Sequence, residues 1–155
     1  MPRVQVIPPE QAAARIPDGA TLCVSSSPGL NCPDAILQAI GERFVKTGAP
    51  KNLTNIHPIA CGDMYGSAGI DHLARPGLLR RAIAGSYPSG PSSMPSPRIW
   101  QMINRNEIEA YNFPTTKMLS AYLHDSTHLR RLCGWGSPCG TSGSNTALRR
   151  IENDR

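Results

Sequence analysis

Three stretches of small residues have the composition of loops that bind a ligand through main-chain groups. Residues 24–37 read VSSSPGLNCPDAIL, residues 61–69 read CGDMYGSAG and residues 86–93 read SYPSGPSS. Because small side chains let a ligand approach the backbone closely, exposed N–H groups in these stretches could bind an oxygen or an anion. The alternative is that the small residues only allow a helix to pack tightly on a strand, and spacing alone favours neither interpretation.

The common phosphate-binding motifs do not occur in these stretches. No GK[ST] follows the first of them, which excludes a Walker P-loop, and the chain has no GxGxxG fingerprint for a dinucleotide. Any ligand is therefore expected to be bound by a different arrangement of main-chain donors.

The cysteines argue against a metal site and against a disulfide framework. Five cysteines make an odd number, and no CxxC pair occurs. Cys23 and Cys61 lie in apolar segments, so both are predicted to be small core residues. Two histidines precede Cys133 and Cys139, but five residues separate these cysteines, more than is typical of zinc ligands. We therefore predict that no metal is bound.

The net charge of +5 is compatible with an anionic partner, but the charge distribution favours a solvated surface. The basic residues are scattered apart from three Arg–Arg pairs, and no ladder of aromatic residues lies between them to stack nucleic acid bases. No apolar run has the length of a membrane-spanning helix, and the N-terminal MPRVQVIPPEQ lacks the apolar region of a signal peptide. We expect a cytoplasmic protein that binds neither nucleic acid nor membranes.

Alternating strands and helices predict an α/β fold with a mostly parallel sheet flanked by helices. The predicted strands are residues 4–7, 20–26, 53–60, 78–86 and 107–113, and the predicted helices are residues 8–16, 33–46, 70–74, 98–105 and 115–124. Strand 20–26 is apolar enough to be buried on both faces, and helix 33–46 carries an apolar stripe of Ile36, Leu37, Ile40 and Phe44. Ligands of such a sheet bind beyond the carboxyl ends of its strands, where the three stretches lie.

Five short segments give the chain a family resemblance. DGAT, PDAIL, GDMYG, GIDHLA and NEIEAYN occur in this order along the chain. From about residue 4 to residue 124 the chain resembles the N-terminal half of the family I CoA-transferases, the group that includes acetate, 3-ketoacid and propionate CoA-transferases. The resemblance implies the fold that CoA-transferases share with ribose-phosphate isomerases, here incomplete. It does not fix the acyl group.

The resemblance also implies a reaction, in which coenzyme A is transferred between an acyl-CoA and a small carboxylate. In this family a glutamate attacks the thioester, forms a mixed anhydride and then carries CoA as a glutamyl thioester, while backbone amides stabilise the oxyanion. CoA is thus a substrate, with no tightly bound cofactor implied. The family's glutamate belongs to the C-terminal half, and Glu10, Glu42, Glu107, Glu109 and Glu152 do not stand in its motif. We assign no catalytic residue and expect the isolated chain to be inactive.

The expected contribution of this chain is part of the acyl and CoA pocket. Serines replace some of the glycines that many relatives carry in the first stretch. For Asp63 a loop-capping role is an equally good interpretation of the sequence. The candidate lining residues are Ser26, Ser27, Gly29, Leu30 and Asn31 from the first stretch, Gly62 and Asp63 from the second, and Gly85 and Ser86 from the third.

Residues 1–124 are predicted to be a truncated CoA-transferase-like domain, and residues 125–155 a tail unlike the family. Two interpretations of the tail stay open, a shifted reading frame and a disordered segment. A truncated sheet leaves an unpaired edge, so the expected partner is the C-terminal half or a separate β-type subunit, and the complete protein is expected to be a homo-oligomer. The alternative functions are a non-catalytic assembly subunit and an isomerase-like protein that binds a sugar phosphate.

Overall fold

Parallel strands form the centre of the structure, and helices flank them. The computed structural model describes residues 5–27, 29–63, 65–89 and 96–114, together with the backbone of residues 149–150. Its helices are α1 (Pro9–Ala14), α2 (Asp34–Thr47), a short 3₁₀ helix (Gly69–Leu73) and α3 (Arg98–Asn104), and its strands are β1 (Thr21–Cys23), β2 (Leu53–His57), β3 (Leu79–Ala84), β4 (Glu109–Asn112) and β5 (Arg149–Arg150).

The strands are ordered β1-β2-β3-β4-β5 across the sheet. β1 to β4 are parallel to one another, and β5 pairs antiparallel with β4. Cys23 is opposite Ile56, Ile56 is opposite Ile83, and Ile83 is opposite Tyr111. The carboxyl ends of β1, β2 and β3 therefore lie side by side at one edge of the sheet. The predicted α/β class and mostly parallel sheet are confirmed.

The first predicted strand, residues 4–7, is wrong over its described part. Residues 5–7 form no strand, and the Val6 side chain is 95% exposed, so it has no apolar surface to pack against. Pro8 follows in extended conformation and leads directly into α1, which has proline at its start. The sheet of the described residues consequently begins at β1.

β1 is shorter and more exposed than predicted. Among the described strands it pairs with β2 alone, at one end of the sheet, and leaves Thr21 and Cys23 exposed with Leu22 partly buried. The prediction that this strand is buried on both faces is therefore wrong, and so is the prediction that Cys23 is a core residue. The same prediction for Cys61 is confirmed, since Cys61 is fully buried.

α2 packs its apolar stripe into the core as predicted. Leu37 and Ile40 are each 2% exposed, and Ile36 and Phe44 pack partly buried against the same cluster. The helix ends at Gly48, whose φ of 71° is left-handed and whose N–H donates to the carbonyl oxygen of Phe44 at 2.8 Å. Truncating a buried leucine to alanine costs about 2–5 kcal/mol of folding stability. This packing therefore holds the start of α2 in place beside the loops that follow the strands.

Two predictions concern residues outside the described part of the chain. The predicted helix at residues 115–124 lies there, and so does the tail at residues 125–155 apart from the backbone of residues 149–150. Within the ranges that the structure describes, no helix has both the length and the apolar character needed to cross a membrane.

Candidate functional site

The three loops of the candidate site lie together because they follow neighbouring parallel strands. Residues 24–33, here called the first loop, join β1 to α2. Residues 58–68, the second loop, join β2 to the 3₁₀ helix, and residues 85–97, the third loop, join β3 to α3. The third loop is described up to residue 89 and again from residue 96. This is the edge at which open parallel sheets bind ligands.

Ala60 holds the three loops together through its backbone. The hydroxyl of Ser26 in the first loop donates to the carbonyl oxygen of Ala60 at 3.2 Å. The N–H of Ala60 donates to the hydroxyl oxygen of Ser86 in the third loop at 2.8 Å. Gly85 joins the arrangement, since its N–H donates to the carbonyl oxygen of His57 at 3.1 Å. The two serine hydroxyls thus position the loops relative to one another.

The first loop contains a tight turn at its exposed tip. Ser27 and Leu30 exchange two backbone hydrogen bonds of 3.0 and 2.9 Å, and Asn31 follows with a left-handed φ of 57°. The side chain of Leu30 is 74% exposed. Within the residues described, the N–H groups of Gly29 and Asn31 donate to no acceptor. Gly29 is partly buried, and Asn31 is exposed.

Gly29 marks the place where the first and second loops touch. A Cβ atom at Gly29 would overlap the carboxylate of Asp63, with its carboxyl carbon at 2.8 Å. Only glycine lets the turn lie this close to Asp63 without displacing that side chain. The predicted residues Gly29 and Asp63 are thus in direct contact.

Asp63 caps the second loop. Its Oδ1 accepts backbone N–H bonds from Tyr65 at 2.9 Å and from Gly66 and Ser67 at 3.2 Å each. These bonds hold the pKa of the Asp63 carboxyl below its usual value. The contacts are those of the loop-capping role that the sequence left open for this residue.

Two glycines close the second loop by backbone packing. Gly62 has a φ of 102°, and a Cβ there would lie 2.7 Å from the carbonyl oxygen of Ala68. Gly69 has a φ of 55°, and a Cβ there would overlap the carbonyl group of Cys61. The N–H of Ile70 donates to that same carbonyl oxygen at 3.0 Å. Gly62 is buried, so this predicted lining residue lies beneath the surface of the candidate site.

Asp34 joins the start of α2 to the second loop, a role that the sequence analysis missed. It accepts hydrogen bonds from the Ser67 hydroxyl at 3.0 Å and the Gly69 N–H at 2.7 Å, and its other oxygen lies 3.2 Å from Nε2 of His72. Burial raises the pKa of Asp34, but these hydrogen bonds outweigh it and the net pKa is lowered. The sequence analysis included Asp34 only within the PDAIL segment of the family resemblance.

His57 is a buried polar residue that packs against the third loop. Nδ1 of His57 lies 2.6 Å from Oδ1 of Asn55, and the His57 ring packs edge-on against Tyr87 at 5.5 Å. Burial lowers the pKa of His57 to about 4, so its ring is neutral at physiological pH. The Tyr87 hydroxyl donates toward the carbonyl oxygens of Ala82 and Tyr111 at 3.2 and 3.0 Å. The sequence analysis included Tyr87 only as part of the third stretch of small residues, 86–93.

Three acidic side chains in or near the described loops have hydrogen-bond or ion-pair partners, and this limits the chemistry they can do. Asp34 and Asp63 both accept backbone N–H bonds, and Glu109, the carboxylate on β4, is paired with Arg81 at 2.7 Å. Glu152 lies outside the described residues. Across the ranges described, no cluster of three or more His, Cys, Asp or Glu side chains has the arrangement of a metal site.

A cavity of about 400 Å³ lies beside the site, between α1 and the start of α2. It is mostly apolar, and it reaches the first loop at Cys32. Its lining residues are Ile7, Pro9, Ala12, Cys32, Pro33, Asp34, Ala35 and Ile36. None of the nine predicted lining residues belongs to this set, so the cavity adjoins the candidate site and is separate from it.

Comparison of the sequence and comparison of the structure with known proteins find the same kind of relative. No family model matches the chain. The acetate CoA-transferases YdiF of Escherichia coli K12 and O157:H7 are each 35% identical to it over 113 residues, which is 72% of this chain and 20% of the relative. The crystal structure of the O157:H7 acyl-CoA transferase YdiF in a thioester complex with CoA matches with a TM-score of 0.64 at 34% identity, over 74% of this chain and 21% of that chain.

The YdiF apoenzyme from the same organism matches over the same shares with a TM-score of 0.62. The chain therefore spans about one fifth of the length of these relatives. Over the matched residues, the resemblance to the CoA-transferases is confirmed.

Proposed function

We propose that this chain, whose sequence and fold match part of a CoA-transferase, supplies one side of the pocket in which CoA is transferred between an acyl-CoA and a carboxylate. The observation that carries the proposal is the bridge at Ala60, which brings the first, second and third loops together at the carboxyl edge of the sheet. The pocket lining comprises the nine residues predicted from the sequence, in unequal roles.

The first loop is the part of this lining that contacts the ligand. The N–H groups of Gly29 and Asn31 have no acceptor among the described residues. Attack on a thioester develops negative charge on its carbonyl oxygen, and main-chain N–H groups stabilise such an oxyanion. Ser27 precedes these donors and the exposed Leu30 lies between them, so both side chains are positioned to contact the acyl chain or the pantetheine arm.

The other lining residues hold the first loop in place. Ser26 and Ser86 use their hydroxyls on Ala60, Gly85 donates to His57, and Asp63 caps the second loop. Gly62 allows the second loop to close. Catalysis that depends on fixed main-chain donors requires such support, because a loop that moves loses the geometry of its donors.

CoA itself is proposed as a substrate, and no tightly bound cofactor is part of the proposal. The related YdiF structure is a thioester complex with CoA, which supports this choice of ligand. The attacking glutamate is proposed to come from the part of the relatives that this chain does not span, provided by a longer chain or by a separate subunit. The 155-residue chain alone is then inactive.

Two measurements on the purified chain test the proposal. Acetyl-CoA should raise the thermal unfolding midpoint and ribose 5-phosphate should not, whereas the reverse pattern would support a sugar-phosphate binder. A CoA-transfer assay with acetyl-CoA and a small carboxylate should show no turnover, and turnover by this chain alone would contradict the external glutamate. Stabilisation by neither compound would support a non-catalytic assembly subunit.

A matched pair of glycine variants locates the binding surface. Gly29→Ala should reduce the stabilisation by acetyl-CoA, because the new methyl group displaces either the turn or Asp63. Gly66→Ala should leave it unchanged, since a Cβ at Gly66 has no atom within 4 Å. Equal behaviour of the two variants would contradict the assignment of the first loop.

A further inference from the structure

Two thiols meet where the first and second loops approach each other. Sγ of Cys32 lies 3.7 Å from Sγ of Cys61, although 29 positions separate the two residues in the chain. Neither residue belongs to the proposed CoA pocket lining. The proposed function therefore gives this contact no role.

The two thiols have different environments. Cys61 is fully buried, and burial, followed by the proximity of Cys32, raises the pKa of the Cys61 thiol to about 12. Cys32 is partly exposed and lines the cavity between α1 and α2. A small oxidant can therefore reach Cys32 through the cavity, whereas Cys61 is reached through Cys32.

The distance between the sulfurs is short enough for a covalent bond after a small movement. A disulfide has an S–S distance of about 2.05 Å, so the sulfurs must approach by about 1.7 Å. The backbone of Cys61 is fixed by the hydrogen bond from Ile70 and by the packing of Gly69. The adjustment consequently falls on the side chain of Cys32, which faces the open cavity.

We propose that Cys32 and Cys61 form an oxidisable pair, a modification site at which a peroxide converts the two thiols into a disulfide that links the first loop to the second. In the first step the Cys32 sulfur attacks one peroxide oxygen, the O–O bond breaks, and the products are Cys32 sulfenic acid and water. In the second step the Cys61 sulfur attacks the Cys32 sulfur, and the sulfenic oxygen leaves as water with the proton of Cys61. The two sulfurs lose two electrons in total, and the peroxide gains them.

The remaining cysteines supply the controls. Cys23 is exposed on the edge strand β1, so it reacts with oxidants without depending on the contact between the loops. Cys133 and Cys139 lie outside the described residues. The proposal is independent of CoA binding, because its readout is the state of the thiols.

The test is peroxide treatment of the reduced, full 155-residue chain, followed by alkylation of free thiols and peptide mapping without reduction. The expected result is a linked peptide pair containing Cys32 and Cys61, with both of these residues lost from the free-thiol pool. Cys23→Ser should form the same link, and Cys32→Ser should not. Cys61→Ala should stop at the sulfenic acid of Cys32, which a dimedone adduct detects.

Several results would overturn the proposal. These are a link from Cys32 to Cys23 or to a tail cysteine in place of Cys61, oxidation of Cys32 with Cys61 left reduced, or resistance of both residues to peroxide that oxidises the urea-unfolded chain. A Cys32–Cys61 link that forms as fast in urea as in the folded chain would also overturn it. If Cys61→Ala does not fold, the mapping of the Cys32→Ser and Cys23→Ser chains decides the question.

Discussion

The first and second loops occupy the same edge of the sheet but use their polar groups in opposite ways. In the second loop Asp63 accepts three backbone N–H bonds, while Ser67 and the adjoining Gly69 donate to Asp34 of α2. In the first loop the turn closes on itself between Ser27 and Leu30, and donors remain without an acceptor in the described chain. The polar groups named in the second loop therefore have partners, whereas two main-chain donors of the first loop have none among the described residues.

The difference shows that two loops of similar composition can need small residues for unrelated physical reasons. Gly62 in the second loop and Gly69 directly after it are required because the backbone segments touch each other. In the first loop, glycine at position 29 lets the turn approach the side chain of Asp63. In the proposed function the second loop is thus the support, and the first loop is the proposed contact surface.

The largest expected effect comes from a substitution that prevents the second loop from closing. Gly69→Ala places a methyl group against the carbonyl of Cys61 at a left-handed φ, so the second loop cannot close as it does. We expect a loss of about 3 kcal/mol in the free energy of unfolding, measured by urea denaturation.

The matched control is Gly66→Ala in the same loop. A Cβ there meets no atom within 4 Å, so its stability should stay within about 0.5 kcal/mol of the parent chain. Equal stability of the Gly69→Ala and Gly66→Ala chains would show that the second loop is not the rigid support described above.

Acid should weaken the support beneath the third loop. Burial depresses the pKa of His57 to about 4, while the unfolded chain takes up the same proton near pH 6.5. Stability is therefore complete above about pH 6.5 and falls as the pH drops toward 4, by roughly 3 kcal/mol in total. His57→Leu should remove this slope in urea denaturation at pH 7 and pH 5, and a variant that keeps the slope would refute its assignment to His57.

A smaller effect is expected where the first loop joins the second. Ser26→Ala removes the buried hydrogen bond to the Ala60 carbonyl and should cost about 1 kcal/mol of stability. Ser25→Ala is the control, because Ser25 is exposed and lies next to it in the chain. A Ser26→Ala chain as stable as Ser25→Ala would mean that the Ala60 bridge does not hold the loops.

The arrangement of the loops could be predicted from the sequence because it follows from periodicity. The stripe of Leu37 and Ile40 indicated α2, and alternation of strands with helices indicated a parallel sheet, which puts successive loops at one edge. These arguments need only the order of elements along the chain. They located the predicted lining residues at the carboxyl edge of the sheet.

The division of roles between the loops could not be predicted in the same way. Ala60 bridges the loops with its backbone, and a backbone hydrogen bond leaves no trace in the residue type. The partners of Asp34 lie more than 30 positions further along the chain, so no local pattern indicates them. Cys23 was placed in the core because its neighbours are apolar, whereas exposure depends on β1 being an edge strand.

The most direct test of the central claim is a two-dimensional ¹H–¹⁵N spectrum of the chain titrated with acetyl-CoA. The account predicts that the amide signals of Gly29 and Asn31 move with increasing ligand, while those of Tyr65, Gly66 and Ser67 stay in place. Movement of the second-loop amides with the first-loop amides unchanged, or no movement of either set at saturating acetyl-CoA, would contradict it.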